Sequence, residues 1–394
     1  MTDPIYLDHN ATTPVAPEVF DDMAPWLQSQ FGNPSSSHAH GRRAAQAVSR
    51  AREQVATLVG AQTGEIVFTG CATEANNLAL LGVARAMGPS RRHLVISAIE
   101  HPAVAAPAAA LRDQGWEVSV VPVDAHARVS AAAVEQALRP DTALVSVMHA
   151  NNEVGTLQPV ADIAAITRPR GLLLHTDAAQ SVGKLPVTVD ALGVDLLTIA
   201  GHKFSAPKGI GALYVRTGTP IRSILHGADQ EQGLRRGTEN VALIVALGAA
   251  AALASAELPS LTDRLRALRD RLHARLADGV PGLQLNGHPE LRLPNTLHVS
   301  FPGVSGRSLL TQAADRVAAS VGSACHSEHD AVSGVLAAMG IDAALASGAV
   351  RLSVGRTTQV ADIDAAADAL LGVRLISVQK VTVRIASNGA GVPA

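Results

Sequence analysis

The chain has 394 residues, of which 47% are hydrophobic and 17% charged, so it can bury a large core and is long enough for more than one domain. A formal net charge of -2 leaves no electrostatic footprint for nucleic acid or an anionic membrane. Met1-Thr2-Asp3-Pro4 lacks the basic and apolar regions of a signal peptide, and the alanine-rich stretch 241–256 falls short of a membrane span; a soluble cytoplasmic protein is expected.

Residues 1–14 predict an extended lead-in that closes on Ala11-Thr12-Thr13-Pro14. Val19, Phe20, Met23 and Leu27 recur at helical spacing and predict a helix over 17–30. An Asn-Pro-Ser-rich turn follows at 32–37, then a second amphipathic helix over 41–59 and a short strand over 66–69. That strand ends in Gly70-Cys71-Ala72-Thr73-Glu74, which opens a helix running to Met87. Small residues between a strand and a helix start leave free backbone N–H groups at the positive end of a helix dipole, the makings of a phosphate site, with the Thr73 hydroxyl as an added donor. In isolation the same stretch reads as a plain helix cap. Strands over 93–97, 117–122, 143–148 and 172–175 then alternate with helices over 102–114, 130–138 and 160–167. This pattern predicts an α/β fold, a mostly parallel sheet between helices.

The strand over 172–175 closes on His175-Thr176-Asp177-Ala178-Ala179-Gln180, placing a carboxylate at a strand's C-terminal end, where α/β folds collect ligands. A buried aspartate needs a cation; otherwise Asp177 would cap the next helix. The run 194–200 reads as a second buried strand leading into Gly201-His202-Lys203. The chain has four lysines, Lys184, Lys203, Lys208 and Lys380. Lys203 stands at the end of an apolar run among small residues, where desolvation lowers an amine's pKa and makes it nucleophilic; the alternative is a turn lysine with its head in water. A lysine for the aldehyde and an acid for the ring nitrogen form the usual protein kit for pyridoxal phosphate. One helix and one strand separate Asp177 from Lys203, so both can reach one pocket.

Further on, 209–215 predicts a strand, and a loop carries His226 to Glu231 and Arg235 to Asn240. A charged amphipathic helix over 261–276 is taken as the start of a small domain. Two cysteines, Cys71 and Cys325, lie far apart in sequence and suggest free thiols in a reducing compartment. Cys325 has small neighbours that give access and His326 beside it to favour thiolate, the setting of a reactive thiol, although a lone cysteine is more often buried filler. Arg351 suits a carboxylate ligand as a planar two-pronged donor, with a surface ion pair as the bland alternative. Residues 374–394 are expected to form a partly disordered tail.

Tyr6 to Pro14, Phe31 to Ser36, Ala72-Thr73-Glu74, Asn151-Asn152-Glu153, His175-x-Asp177-Ala178-x-Gln180, Gly201-His202-Lys203 and Arg351 to Arg356 stand in one order. Together they resemble the cysteine desulfurases and selenocysteine lyases, fold type I pyridoxal phosphate enzymes, over about residues 5–372. The resemblance implies a large cofactor domain over 15–256 and a smaller α+β domain from 1–14 and 257–373 that carries the cysteine loop. It implies pyridoxal phosphate on Lys203 as a Schiff base, its ring nitrogen on Asp177, and its phosphate near Ala72 and Thr73. His101 would lie flat against the ring and carry protons, Asn152 would stand beside the ring oxygen, Gln180 would hydrogen-bond that oxygen, and His202 would also touch the cofactor. Arg351 would take the substrate α-carboxylate, with Asn33 and Asn152 nearby. The residue matching Thr238 reaches the other subunit's cofactor phosphate, which implies a homodimer. Lys203 would then remove the α-proton, and Cys325 would act at the β-substituent to leave alanine. No metal is implied.

The chain departs from that family in four places. Cys71 stands where a glycine is usual, which implies some shift in the backbone's approach to the phosphate, and Ala228-Asp229 replace a glycine run, putting a carboxylate near the site entrance. Cys325-His326-Ser327-Glu328-His329 and Ala200 resemble the animal selenocysteine lyases, although the loop after Cys325 has the desulfurase length. The expectation leans to L-selenocysteine as substrate with L-cysteine close behind, and to an acceptor protein for the selenium or sulfur, such as one feeding iron-sulfur cluster assembly. An aminotransferase on the same fold and a catalytically silent partner of a sulfur-carrier scaffold are the rivals.

Overall fold

The computed structural model describes residues 3–322 and 333–388, with side chains through Arg374. The chain opens with β1 (Ile5–Tyr6), α1 (Pro17–Gln28), α2 (Ala39–Val59), β2 (Ile66–Thr69) and α3 (Ala72–Ala86). It alternates through β3 (His93–Ser97), α4 (Pro102–Asp113), β4 (Glu117–Val121), α5 (Ala131–Ala137), β5 (Thr142–Ser146), α6 (Val160–Thr167), β6 (Leu173–Asp177), α7 (Val189–Leu192), β7 (Leu196–Ala200) and β8 (Gly211–Val215). The remainder comprises α8 (Val241–Gly279), β9 (Gln284–Leu285), β10 (Thr296–Ser300), α9 (Gly306–Ala313), β11 (Val317–Ala318), α10 (Gly334–Ala338), α11 (Ala343–Ser347), β12 (Ala349–Ser353) and α12 (Val360–Asn388).

Seven strands form the large sheet in the order β2-β8-β7-β6-β5-β3-β4. Neighbours from β4 through β7 run parallel, and β8 is reversed against both β7 and β2. Alternate residues of these strands feed opposite layers, as the two-residue period requires. Phe68, Leu174, Leu197, Ile199 and Tyr214 enter one apolar cluster with α1, α2, α6 and the first part of α8. Val67, Leu94, Ile96, Leu196 and Leu213 enter the other with α3 and α4. Burial on both faces explains why these strands read as continuous apolar runs. The mostly parallel sheet covered by helices is the α/β architecture expected of a fold type I enzyme.

A third cluster gathers Leu7, Leu265, Leu268, Leu272, Leu276, Phe301, Leu352 and Leu370 around the antiparallel strands β12-β10-β9. The helix α8 joins this cluster to the large sheet. Its Val241 to Ala254 segment belongs to the first layer and its Leu265 to Leu276 segment to the third. It runs unbroken through Pro259, so the helix expected over 261–276 is the second part of a longer one. The internal proline costs roughly 3 kcal/mol, and the helix is held across it by apolar packing at both ends. By length and composition α8 is apolar enough to cross a membrane, but half of that stretch is buried inside the protein, as in the core helix of a globular fold. At the C-terminus α12 runs through Gly372 and continues to Asn388, into the segment that was expected to be a partly disordered tail from Arg374; no glycine or proline stands between Val373 and Gly389.

Candidate active site

The C-terminal ends of β5, β6 and β7, the start of α3 and the first residues of the chain surround a cavity of about 620 Å³. β6 ends on Asp177, which is buried. Its Oδ2 accepts a hydrogen bond from Asn76 Nδ2 at 2.7 Å and its Oδ1 one from the Ala179 N–H at 2.9 Å. No basic side chain among the described residues is ion-paired with it, so a buried carboxylate faces the cavity with neutral donors alone.

β7 ends at Ala200, and a single 3-10 turn, Gly201–Lys203, carries the lysine to the wall of the same cavity. Gly201 must be small because a Cβ there would lie 3.0 Å from the Ile210 carbonyl oxygen and 3.1 Å from Ala206. Lys203 Nζ donates to the carbonyls of Asn10 at 2.6 Å and Ala11 at 2.8 Å, so the extended lead-in is part of the lysine's seat. His202 is pinned by Thr12 and Thr13 of the same segment. Burial, then the neighbouring Lys203, pushes its pKa down to about 4, which keeps it neutral.

Opposite them lies the β2-to-α3 turn. Cys71 caps α3, its Sγ accepting from the Glu74 N–H at 3.4 Å. Its φ is -174°, extended backbone open to any residue, so the side chain that replaces the family's usual glycine fits there. The adaptation lies in Gly211 of β8, where a Cβ would stand 2.9 Å from the Cys71 carbonyl carbon and 3.1 Å from the Ala72 nitrogen. The first-turn N–H groups at Ala72 and Thr73 have no intrahelical acceptor and line the cavity, forming a cradle for an anion.

His101 caps α4, and its Nδ1 accepts from the Ala103 N–H at 3.1 Å. The neutral ring therefore carries its proton on Nε2. Burial, the largest influence, and Lys203 lower its pKa, while Asp177 opposes them. Arg351, only 3% exposed, pairs with Asp8 Oδ1 at 2.8 Å and donates to the Asn152 carbonyl at 2.9 Å, leaving its Nε without a partner among the described residues. The surface ion pair considered for Arg351 is excluded by that burial.

Ala72, Thr73, His101, Asn152, Asp177, Gln180, His202, Lys203 and Arg351 thus share one cavity, with Ala200 and Cys71 in its wall. Asn33 does not line it: the side chain is exposed and folds back onto the Ser35 N–H at 2.9 Å, the local bond an Asn-Pro-Ser turn favours. Thr238 also stands outside, on an exposed loop. Asp229 is paired with Arg236 at 2.8 Å and does not reach the cavity. Cys325, with His326 and His329, lies outside the described residues. Cys71, the other thiol, is free and exposed.

The family model for aminotransferase class V matches residues 5–366. This chain belongs to the class V aminotransferase family. As such it is a pyridoxal phosphate enzyme, and the class V cavity fits that group: a lysine, a buried carboxylate lacking a cation and an anion cradle are what the aldehyde, ring nitrogen and phosphate require. Among its relatives is the protein named cysteine desulfurase IscS of Dictyoglomus turgidum, 43% identical over 93% of both chains. Among solved structures it is similar to a NifS-like protein, with 36% identity, TM-score 0.89 and coverage of 95% of this chain and 100% of that one. It is also similar to SspA in complex with cysteine, with 36% identity, TM-score 0.79 and coverage of 90% and 99%.

Sequence reasoning missed several residues of this class V site. Asn10 accepts from Lys203 and Gln180 through its carbonyl, and Asp8 sets the Arg351 guanidinium. Both sit in a lead-in that shows no periodicity, where only the family motif could have drawn attention to them. Asn76 lies one helical turn past Ala72, a spacing that points it back over the cradle. Glu100 lines the cavity, and burial pushes its carboxyl up to about 8.

Proposed function

We propose that the chain is a cysteine desulfurase, taking sulfur from L-cysteine and leaving L-alanine. The observation that carries this reading is the meeting of Lys203, Asp177, the α3 cradle and Arg351 in one cavity, in a chain whose relatives bear that name. Those relatives turn the balance away from L-selenocysteine, favoured by Cys325 to His329 and Ala200, and toward L-cysteine.

Bound pyridoxal phosphate supplies an electron sink for the carbanion at the substrate's α-carbon. Lys203 would anchor the group, Asp177 would hold its ring nitrogen protonated, Ala72 and Thr73 would hold its phosphate, and His202, in the same wall, would also touch it. Arg351 binds the substrate α-carboxylate through its guanidinium, which Asp8 and the Asn152 carbonyl hold in place. Once released, Lys203 Nζ takes the α-proton, and His101, neutral with its proton on Nε2, relays protons beside it. Cys325 thiolate attacks the substrate sulfur; the carbon–sulfur electron pair stays with the substrate β-carbon, which takes up a proton, the α-carbon regains a proton from Lys203 to give alanine, and Cys325 keeps the persulfide. An acceptor protein then takes that sulfur. The exposed Thr238 loop supports a homodimer in which each chain contributes Thr238 to the other's phosphate.

The test is a two-substrate assay on the wild type and Cys325→Ala. Alanine from L-cysteine with persulfide on Cys325, both lost in Cys325→Ala, supports the desulfurase. Faster alanine release from L-selenocysteine, with L-cysteine nearly inert, would return the assignment to selenocysteine lyase.

A further inference from the structure

Lys184 is a second lysine behind the cavity, and it is only 5% exposed. Its Nζ donates to Gln180 Oε1 at 3.0 Å and weakly to Asn10 Oδ1 at 3.4 Å. The charged and titratable groups around it are Lys203, Arg351, His9 and His202. Glu257 lines the same cleft but is bound to Arg356 at 2.8 Å, and no carboxylate among the described residues is ion-paired with Lys184. A buried amine among other cations is costly, and burial, then Lys203 and Arg351, lower its pKa well below the usual lysine range. Apolar packing could fill this space without that cost, so the amine has a use.

Its hydrogen bond identifies the use. Lys184 Nζ has N–H donors in either protonation state and gives one to Gln180 Oε1. The opposite end of the amide is then fixed as well: Gln180 Nε2 donates one hydrogen to the Asn10 carbonyl at 3.0 Å, the same carbonyl that accepts from Lys203, and has a second hydrogen to give. Gln180 itself lines the cavity. Were the amide flipped, its oxygen would face the Asn10 carbonyl oxygen and offer the cavity an acceptor.

We propose that Lys184 is a positioning residue: by locking the Gln180 amide it makes Gln180 a donor to the cofactor's ring oxygen, and it thereby lowers the proton affinity of the cofactor linkage on Lys203. The inference rests on the proposed placement of pyridoxal phosphate at Lys203. A donor on the ring oxygen draws density from the atom that would otherwise share the linkage proton, and any positive charge on Lys184 acts in the same direction.

The experiment is a pH titration of the lysine-linked chromophore by absorbance in the holoenzyme, for the wild type, Lys184→Met, Gln180→Leu and the double variant, with Lys203→Ala as the blank. Lys184→Met should raise the chromophore's apparent pKa by about one pH unit, a tenfold gain in proton affinity. In the Gln180→Leu background the same change should raise it by less than half as much. Lys184→Leu, equally neutral and without a donor, repeats the measurement if the methionine variant fails to fold. An unmoved pKa in the neutral variants would overturn the proposal, as would full additivity, which assigns the effect to charge and not to Gln180. A wild type without a Lys203-dependent chromophore would instead sink the cofactor placement beneath it. A merely structural Lys184 would change melting temperature and leave the chromophore's pKa where it was.

Discussion

Asp177, Lys203 and the first turn of α3 stand at or just beyond strand ends of one sheet, β6, β7 and β2, whereas Asn33 and Thr238 sit on exposed loops that do not touch the cavity. The first group is positioned by a sheet buried on both faces, whose strands cannot slip without exposing their apolar residues. The second has only local bonds, such as the Asn33 turn. A floor built this way is complete within one chain. A rim built from exposed loops gains its function only from what it meets, and for Thr238 the proposed occupant is a second copy of the chain.

Removing parts of the floor should cost most. Lys203→Ala should lower turnover by at least about a thousandfold while leaving circular dichroism unchanged, because the side chain hangs from a turn outside the core. A variant that retains activity would show that the floor does not hold the chemistry. Asp177→Asn keeps the bonds to Asn76 and Ala179 but removes the charge, and kcat should fall by about a hundredfold with cofactor still bound.

Arg351 lies between floor and rim, on β12 but gripped by the lead-in. Arg351→Ala should raise KM for L-cysteine by about tenfold to a hundredfold, the loss of a charged hydrogen-bonded pair. Asp8→Asn should raise it less, since Asp8 acts only by orienting the guanidinium. Equal effects would show that Asp8 touches the substrate itself.

Glu100 sharpens the comparison through pH. Its Oε1 accepts from Ser97 and from the Met148 N–H, its Oε2 is buried without a partner among the described residues, and burial raises its pKa from 4.5 to about 8. Below pH 4.5 the carboxyl is protonated in both folded and unfolded chains. Between 4.5 and about 8 the unfolded chain releases the proton while the native one keeps it, so stability falls as pH rises through that window and levels off above it. The gap corresponds to at most about 5 kcal/mol. Denaturant midpoints measured from pH 5 to 9 should decline less steeply in Glu100→Gln than in wild type; parallel profiles would mean that Glu100 ionises normally.

The smallest effect belongs to the rim. Thr238→Ala should weaken cofactor affinity about fivefold, one hydroxyl bond's worth, and only in the dimer. Sedimentation that finds a fully active, cofactor-loaded monomer would remove the shared-site reading.

The same division governs what could be read from the amino acids. Buried strands announce themselves as apolar runs bounded by Gly and small residues, and that placed Asp177 and Lys203 at strand ends and drew the α/β alternation. The lead-in that supplies Asp8 and Asn10 has no periodicity, because its residues are held by bonds to Ser353, Thr296 and Lys203, far away in sequence. The full length of α8 was missed for a related reason: Pro259 lowers the local helix propensity, and the packing of α8 on two separate clusters overrides it. At Cys71 a family glycine implied some shift in the backbone's approach to the phosphate, whereas the backbone there is fully extended and accepts a side chain.

The most direct test of the account is borohydride reduction of the holoenzyme followed by peptide mapping. Predicted is a single cofactor adduct on Lys203, absent from Lys203→Ala. An adduct on Lys184 or Lys208 would contradict the assignment of the floor, and with it the roles given to Asp177 and to Gln180.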